Sequence, residues 1–566
     1  MEKRNLVQFL NKYREGDPIS FHMPGHKGRS VLYDDFGYGE LFRNAAEIDI
    51  TEIPGADNLH RPTGAIREME EGYAAFYGVA ASRLLVNGGS AGVMAAVLAA
   101  VPRGGRLLMA RNSHVSAYNA IRMGGITPVY VLPGEDGRIA APEVERAIIE
   151  STPIDAVLIT SPTYYGVISD IAAISEVAHR YGIPLIVDQA HGAHLPLFDK
   201  FFESVSKMDR INIFKKDHAD TSKKDRVAQY RGDADRLERE SEIEIPKRPL
   251  SAENCGADLI INSTHKTMLS FTGTAVLNIN SELVSAELVT SWLSSLQTTS
   301  PSYIALASLE ANLRIFEERG EDIVRKWLKG IEFFRYNAKR MERYHIASGP
   351  HIDPSKLYIT YLSNVRSRAD KGTASHCEEE REPAIDLLDS NSYYLDGNAI
   401  AEALMRRDIW PEMWDSSGVL LLTGPGNVRT DCEALLRALY EIDQAFLKVT
   451  EHTSVDRVRN ADPKPNTDIN QITETNPDQR IEAIPQFVGI PAECEDIPLY
   501  EAEGRVAAES IIPYPPGIPV VCPGEALSFE TIKYLGELIA SAKTVKGIDS
   551  EGRISVGRED PVRQRR

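Results

Sequence analysis

Four short segments of this 566-residue chain carry side chains suited to covalent and electrostatic chemistry. Ser263-Thr264-His265-Lys266 follows directly on the apolar run ADLIIN. A lysine amine is costly in apolar surroundings unless it is neutralised or bonded, and an imine with a carbonyl cofactor does this. Asp188 ends the apolar run IPLIVD, where a buried carboxylate is expensive unless a cation faces it. NGGSAG, residues 87–92, lies between a strand pattern and a helix pattern. Its backbone N–H groups and the Ser90 hydroxyl are placed to bind a phosphate at a helix N-terminus. His114, in ARNSH, stands at another strand-to-helix junction, where an imidazole can lie against a flat ring.

Each feature alone has an ordinary alternative. A lysine can simply end a strand, an aspartate can cap a turn, glycine turns are common, and a histidine can cap a helix or fill a core. The set is more specific than its parts, because glycine turn, histidine, aspartate and lysine follow in order, each at the end of an apolar run. A covalent lysine, a carboxylate for a ring nitrogen, a phosphate cradle and a stacking ring are together the requirements of pyridoxal phosphate.

The elements that must hold these residues are legible as an α/β pattern from about 62 to 200. RPTGAIREMEEGYAAFYG predicts a helix with Gly78 near its end, RLLVNGG a short strand entering a glycine turn, and SAGVMAAVLAAV a buried helix opening at Ser90. RLLMARNSH, ITPVYVLP, DAVLITSPTYYG and IPLIVDQAH are apolar runs of strand length that end in polar or glycine-rich residues. Near-continuous hydrophobicity suits parallel strands covered on both faces, and open α/β sheets bind ligands at such strand ends. The pattern breaks from about Lys200 to Arg248, which is dense in charge and predicts a surface insertion, then resumes at GADLIINSTHKTMLSFTGTAVLNI. Polar stretches near 365–383 and 452–480 read as loops or linkers. Between them SNSYYLDGNAIAEALMRRDIWPEMWDSSGVLLLTGPGN and a helix to about Val449 predict part of a smaller α/β domain. The expected organisation is an arm and entrance segment over 1–60, a cofactor-binding domain over 61–310 and smaller C-terminal structure over 311–566.

Composition narrows the classes. The length calls for two or three domains, and 42% hydrophobic with 26% charged residues is ordinary for a globular protein. No apolar run reaches the length of a membrane span, and MEKRNLVQFLNKYREG reads as an amphipathic helix rather than a signal peptide. Five cysteines without a CxxC pair argue against a zinc site or disulfide framework and predict a reducing cytoplasm. A net charge of −19 makes nucleic acid an improbable partner.

FHMPGHKG (21–28), DITEIPGADNLHRPTGAI, NGGSAG, NSH, SPTYYG, DQAHGAH, STHKT, TTSPSY (298–303) and IPYPPGIPVVCPGE (512–525) resemble, as a set, the bacterial ornithine/lysine/arginine decarboxylases in their short form. The resemblance implies an α/β fold of the fold-type-I pyridoxal-phosphate class, with a mostly parallel central sheet in the large domain and a smaller C-terminal α/β domain. It implies that Lys266 forms the Schiff base, Asp188 pairs with the pyridine nitrogen and His114 stacks on the ring. It further implies that Gly89, Ser90, Ala91, Ser263 and His265 hold the phosphate, and that Ala190 and His191 complete the cofactor contacts. Thr299 and Ser300 would reach a neighbouring subunit's phosphate region, so a homodimer or larger homo-oligomer with shared sites is implied. Glu525 would lie near the substrate, and His26 and Lys27 at the active-site entrance or dimer interface. Two departures stand out: Gln189 where the family usually has Glu, and Gly273 where many members have Gln.

The implied reaction is decarboxylation of a basic amino acid, most simply arginine to agmatine for polyamine-related metabolism, with Glu525 the candidate acidic contact for the cationic side chain. Lysine and ornithine remain alternatives at this level. Another pyridoxal-phosphate reaction such as transamination or aldol cleavage is a second reading. An aminotransferase would need an arginine clamp, for which Arg314 and Arg429 are the candidates. A non-catalytic regulatory homologue binding partners through the charged insertion is a third, against which the joint presence of Lys266, Asp188 and the phosphate motif argues. No metal site is expected.

Overall fold

The computed structural model describes residues 13–204, 248–341, 343–361, 395–452, 485–514, 518–540 and 544–558. Most of the charged insertion, nearly all of both polar stretches and the first twelve residues of the amphipathic segment lie outside the described residues.

The chain clusters into two compact units. The larger comprises 33–193, 249–317 and 467–566; the smaller comprises 1–32, 194–248 and 318–466. The C-terminal residues therefore group with the large unit and not with the smaller sheet that precedes them.

The large unit is built on seven strands, β1 (Ala81–Leu85), β2 (Arg106–Ala110), β3 (Thr127–Val131), β4 (Ala156–Thr160), β5 (Leu185–Asp188), β6 (Leu259–Asn262) and β7 (Ala275–Ile279). They lie in the order β1-β7-β6-β5-β4-β2-β3. β3, β2, β4, β5 and β6 are mutually parallel, while β7 runs antiparallel to both β6 and β1. The near-continuous apolar runs have their expected cause. Leu107 and Met109 belong to one core cluster, whereas Leu108 and Ala110, from the same strand, belong to the other. Alternate side chains thus bury on opposite faces, so a strand covered on both sides must be apolar at nearly every position.

Three helices connect this sheet to the chemistry. α1 (Ala65–Tyr77) ends on Gly78 in the left-handed conformation, as its sequence predicts. It starts later than the sequence pattern, after a turn held by Asp57, whose carboxylate accepts from the backbone N–H groups of Thr63, Gly64 and Ile66 at 2.8–2.9 Å. α2 (Gly88–Ala100) opens two residues before Ser90. Gly88 has φ of +77°, and its N–H donates to the Gly273 carbonyl at 2.7 Å. Gly273 itself has φ of +92°, a conformation that a glutamine would adopt only with strain, which gives this departure from the family pattern a backbone reason. α3 (Val115–Gly124) begins directly after His114.

The smaller unit contains a four-stranded sheet ordered Met413–Trp414, Val419–Leu422, Lys356–Tyr361, Tyr344–Ile346, antiparallel throughout. A parallel pair joins Ile19–Phe21 to Ile409–Pro411. The C-terminal part of the large unit has its own apolar cluster, including Ile511, Val521, Leu535 and Val556.

Candidate active site

At the carboxyl ends of β5 and β6 the chain places Asp188 and Lys266. Asp188 is the last residue of β5 and is 5% exposed. Lys266 sits in a single helical turn, Thr264–Thr267, that follows β6, with Ser263 at its N-cap. Since β5 and β6 are adjacent and parallel, with Asp188 in register with Ile261, two residues remote in sequence reach the same edge. Burial raises the Asp188 carboxyl above its usual range, while Lys266 and the Ala190 N–H, 3.2 Å away, act against that rise. A buried carboxylate of this kind is stabilised by a cation facing it.

Lys266 Nζ lies 2.9 Å from His191 Nε2, and the His191 ring meets Tyr164 edge-on at 4.9 Å between centroids. His114 caps α3 through Nδ1, which accepts from the Ser116 N–H at 3.2 Å. Burial, helped by the Lys266 charge, pushes His114 down to about 4, so its ring is neutral near pH 7. His265 is likewise lowered to about 4 by burial and is hydrogen-bonded through Nδ1 to the Thr274 carbonyl at 2.7 Å. A neutral imidazole suits packing against an aromatic ring better than an imidazolium, which would have to be desolvated.

α2 and the lysine turn approach each other closely. A Cβ built on Gly89 would lie 2.5 Å from Ser263 Oγ, so a larger residue here would require the Ser263 side chain to shift. Ser90 is exposed at the start of α2, and Ala91 is buried behind it. Pyridoxal phosphate fits these residues. The Lys266 amine acts on a buried carboxylate, and the N-terminal N–H groups of α2, which have no acceptor within the helix itself, stand beside the Ser90 hydroxyl, a setting suited to a phosphate.

Three other expected residues have distinct surroundings. Thr299 and Ser300 are exposed in a loop, where the Ser300 N–H donates to Thr298 Oγ1 at 3.2 Å. Glu525 is not a solvated residue after a turn. It is 2% exposed, and its Oε2 accepts from Arg111 at 3.0 Å and from the Cys522 N–H at 2.8 Å. Arg111 is 0% exposed, donates also to the carbonyls of Pro519 and Val520, and lies over the rings of Tyr118 and Tyr130. A carboxylate already neutralised by a guanidinium has less attraction left for a cationic substrate, so only Glu525 Oε1 remains for that part.

Lys27 is 7% exposed and turned into the small unit, donating to the carbonyls of His22 at 2.7 Å and Leu422 at 2.8 Å. Burial lowers it to about 7. Gly424 and Gly426 pack against the backbone of Gly25 and His26, where a Cβ would fall within 2.6 Å and 2.3 Å of carbonyl oxygens. Arg314 pairs with Glu317 and Arg429 with Glu433.

Sequence reasoning missed Arg111 and Glu253. Glu253 is buried and bonded to Gln189, Asn262 and Asn278. Arg111 lies within the ARNSH segment, where His114 drew the attention, and Glu253 stands in no apolar period or motif, so neither was marked by a signal of its own. Among the described residues no group of three metal-ligating side chains occurs, and no helix is long and apolar enough to cross a membrane.

This arrangement agrees with what the chain resembles. The family model for the Orn/Lys/Arg decarboxylase major domain matches residues 5–218 and 239–366, and that for the C-terminal domain matches 476–553. The chain belongs to the Orn/Lys/Arg decarboxylase family, whose members use pyridoxal phosphate. Among its relatives, the arginine decarboxylase of Bacillus subtilis is 28% identical, covering 96% of this chain and 95% of that protein. The arginine decarboxylase of Bacillus anthracis is 26% identical, covering 96% and 94%. The solved structure of the constitutive lysine decarboxylase of Escherichia coli aligns with a TM-score of 0.62 at 20% identity, over 98% of this chain and 81% of that one, and shares the fold.

Proposed function

We propose that this enzyme decarboxylates L-arginine to agmatine, in the cytoplasm, as a homodimer with shared sites, and so feeds polyamine-related metabolism. The near full-length similarity to proteins named arginine decarboxylases carries the choice of substrate. Four free cysteines among the described residues support a reducing compartment. The exposure of Thr299 and Ser300 supports their use by a neighbouring chain.

In this reading Lys266 would hold the cofactor, and its amine, beside His191, is the group positioned to move a proton. Asp188 would keep the ring nitrogen protonated. Bound pyridoxal phosphate supplies the sink for the electron pair left by departing carbon dioxide. Ser90, Ser263, His265 and the N–H groups of Gly89 and Ala91 would hold the phosphate, and the neutral His114 would shield the ring from water. Ala190 fixes the Asp188 carboxylate through its N–H.

A product assay offering arginine, lysine and ornithine in parallel tests the substrate. Arginine is expected to exceed the other two in kcat/KM by at least about tenfold, the effect of about 1.4 kcal/mol in transition-state binding. Equal or faster turnover of lysine or ornithine overturns the assignment. Release of α-keto acid without carbon dioxide overturns the reaction.

A further inference from the structure

Gln189 directly follows Asp188, and Asn262 directly precedes Ser263 in the lysine turn. Both side chains meet one buried carboxylate. Gln189 Nε2 lies 2.8 Å from Glu253 Oε2 and 2.9 Å from Asn262 Oδ1. Asn262 Nδ2 lies 2.6 Å, and Asn278 Nδ2 2.9 Å, from Glu253 Oε1. Asn278 Oδ1 in turn accepts from Ser82 Oγ at 2.7 Å. Gln189 and Asn262 are 0% exposed and Glu253 is 7% exposed.

The orientations of the Gln189 and Asn262 amides are forced. The Ala252 backbone N–H can only donate, and it lies 2.8 Å from Gln189 Oε1. Gln189 Nε2 therefore faces Glu253 and Asn262, Asn262 Oδ1 faces Gln189, and Asn262 Nδ2 faces Glu253. Glu253 must accept from every neighbour, which an ionised carboxylate does and an amide cannot.

We propose that Glu253 is a positioning residue for the decarboxylation site, its carboxylate holding Gln189 and Asn262 in one arrangement and so fixing the approach of Asp188 to Lys266. This rests on the roles given above to those two residues. The Asp188–His191 segment is also held by backbone bonds, among them Ser161 N–H to the Asp188 carbonyl, Gln189 N–H to the Val187 carbonyl and Gly192 N–H to the Gln189 carbonyl, and by the Ala190 N–H to the Asp188 carboxylate. Anchoring the Gln189 side chain sets the path of the segment that carries both Asp188 and His191, and His191 is the residue that meets Lys266 Nζ.

Glu253→Gln has the size of the native residue but leaves one donor–donor contact that no amide flip removes, because the Ala252 N–H fixes one end of the chain of amides. Adding Asn262→Asp resolves it. The new carboxylate accepts from Gln189 and from the amide nitrogen introduced at position 253. The oxygen of that introduced amide accepts from Gln189, and Asn278 turns its own amide to donate to the Ser82 hydroxyl.

The test uses cofactor-loaded enzyme. Glu253→Gln is expected to lower kcat at least about tenfold with KM changed less than about twofold, and to shift the pH titration of the lysine-bound cofactor's absorption. Glu253→Gln/Asn262→Asp is expected to return kcat to within about threefold of the original and to restore that titration. A single variant with unchanged kcat and absorption overturns the proposal, as does a folded, impaired single variant that the second substitution does not rescue. Should the single variant fail to fold, the double variant decides: a folded double variant with near-original kcat supports the proposal, and an unfolded or inactive one overturns it. Lys266→Ala run in parallel separates the two levels. If it retains turnover, the site assignment itself has failed, whatever Glu253 does.

Discussion

Removing the Glu525 carboxylate is expected to damage the large unit more than any surface ion pair. In Glu525→Ala the Arg111 guanidinium, 0% exposed, keeps two carbonyls and the Tyr118 hydroxyl but loses its carboxylate partner at 3.0 Å, and the Cys522 N–H loses its acceptor. Breaking one side of a buried pair costs about 3–5 kcal/mol, because a charge is left buried without compensation. Replacing both partners, as Arg111→Met/Glu525→Leu, removes that charge and is expected to cost less than Glu525→Ala alone. Urea unfolding of Arg111→Met, Glu525→Leu and the double variant gives a coupling energy, expected at about 2 kcal/mol or more. A loss below about 1 kcal/mol in Glu525→Ala, or additive effects in the cycle, refutes the reasoning. Kinetics of Glu525→Gln separate the ion pair from direct substrate contact. If Glu525 serves through Arg111, whose loop leads into His114, kcat falls more than KM rises. A large rise in KM for arginine with kcat preserved assigns it to the substrate.

Lys266→Ala is expected to abolish turnover and the covalent cofactor absorption while retaining noncovalent binding; retained activity removes the central assignment. Asp188→Ala should keep the covalent cofactor but lose most of the rate, and an unchanged rate of carbon dioxide release gives the ring-nitrogen role to another residue. His114 and His265 are lowered from the ordinary 6.5 to about 4, so the folded state resists protonation that the unfolded state accepts. Their contribution is therefore neutral above about pH 6.5 and becomes destabilising as pH falls toward 4, where it levels off. Unfolding midpoints of His114→Asn, measured from about pH 7.5 to 4, should fall less steeply with acid than those of the parent; a parallel fall contradicts this account. Mixing Lys266→Ala with a bulky substitution at Ser300 should restore activity, since a mixed C2 dimer has one site with neither lesion. Verified mixed dimers without activity would confine Ser300 to its own chain.

The strands of the large sheet were readable because burial on both faces writes itself into every residue of a segment. The runs around Leu107, Val157, Ile186 and Ile260 became neighbouring strands whose side chains divide between two cores. Gly78 announced a helix end through its conformation, and Lys266 and Asp188 were marked by standing where such runs stop. The start of α1 was misjudged because its cap is Asp57, several residues upstream, and not a residue adjoining the helix.

The sequence by itself determined the order of the elements, the large sheet and the set of residues at its strand ends, since hydrophobic periodicity and short motifs act over a few positions. Tertiary structure decided the rest. It put Asp188 and Lys266 on one edge by pairing β5 with β6, gave Glu525 to Arg111, turned Lys27 inward, and gathered Gln189 and Asn262 around Glu253. A buried polar group must find a partner, but that partner can lie at any distance along the chain. Such pairings leave no period to read, and only the folded chain reveals them.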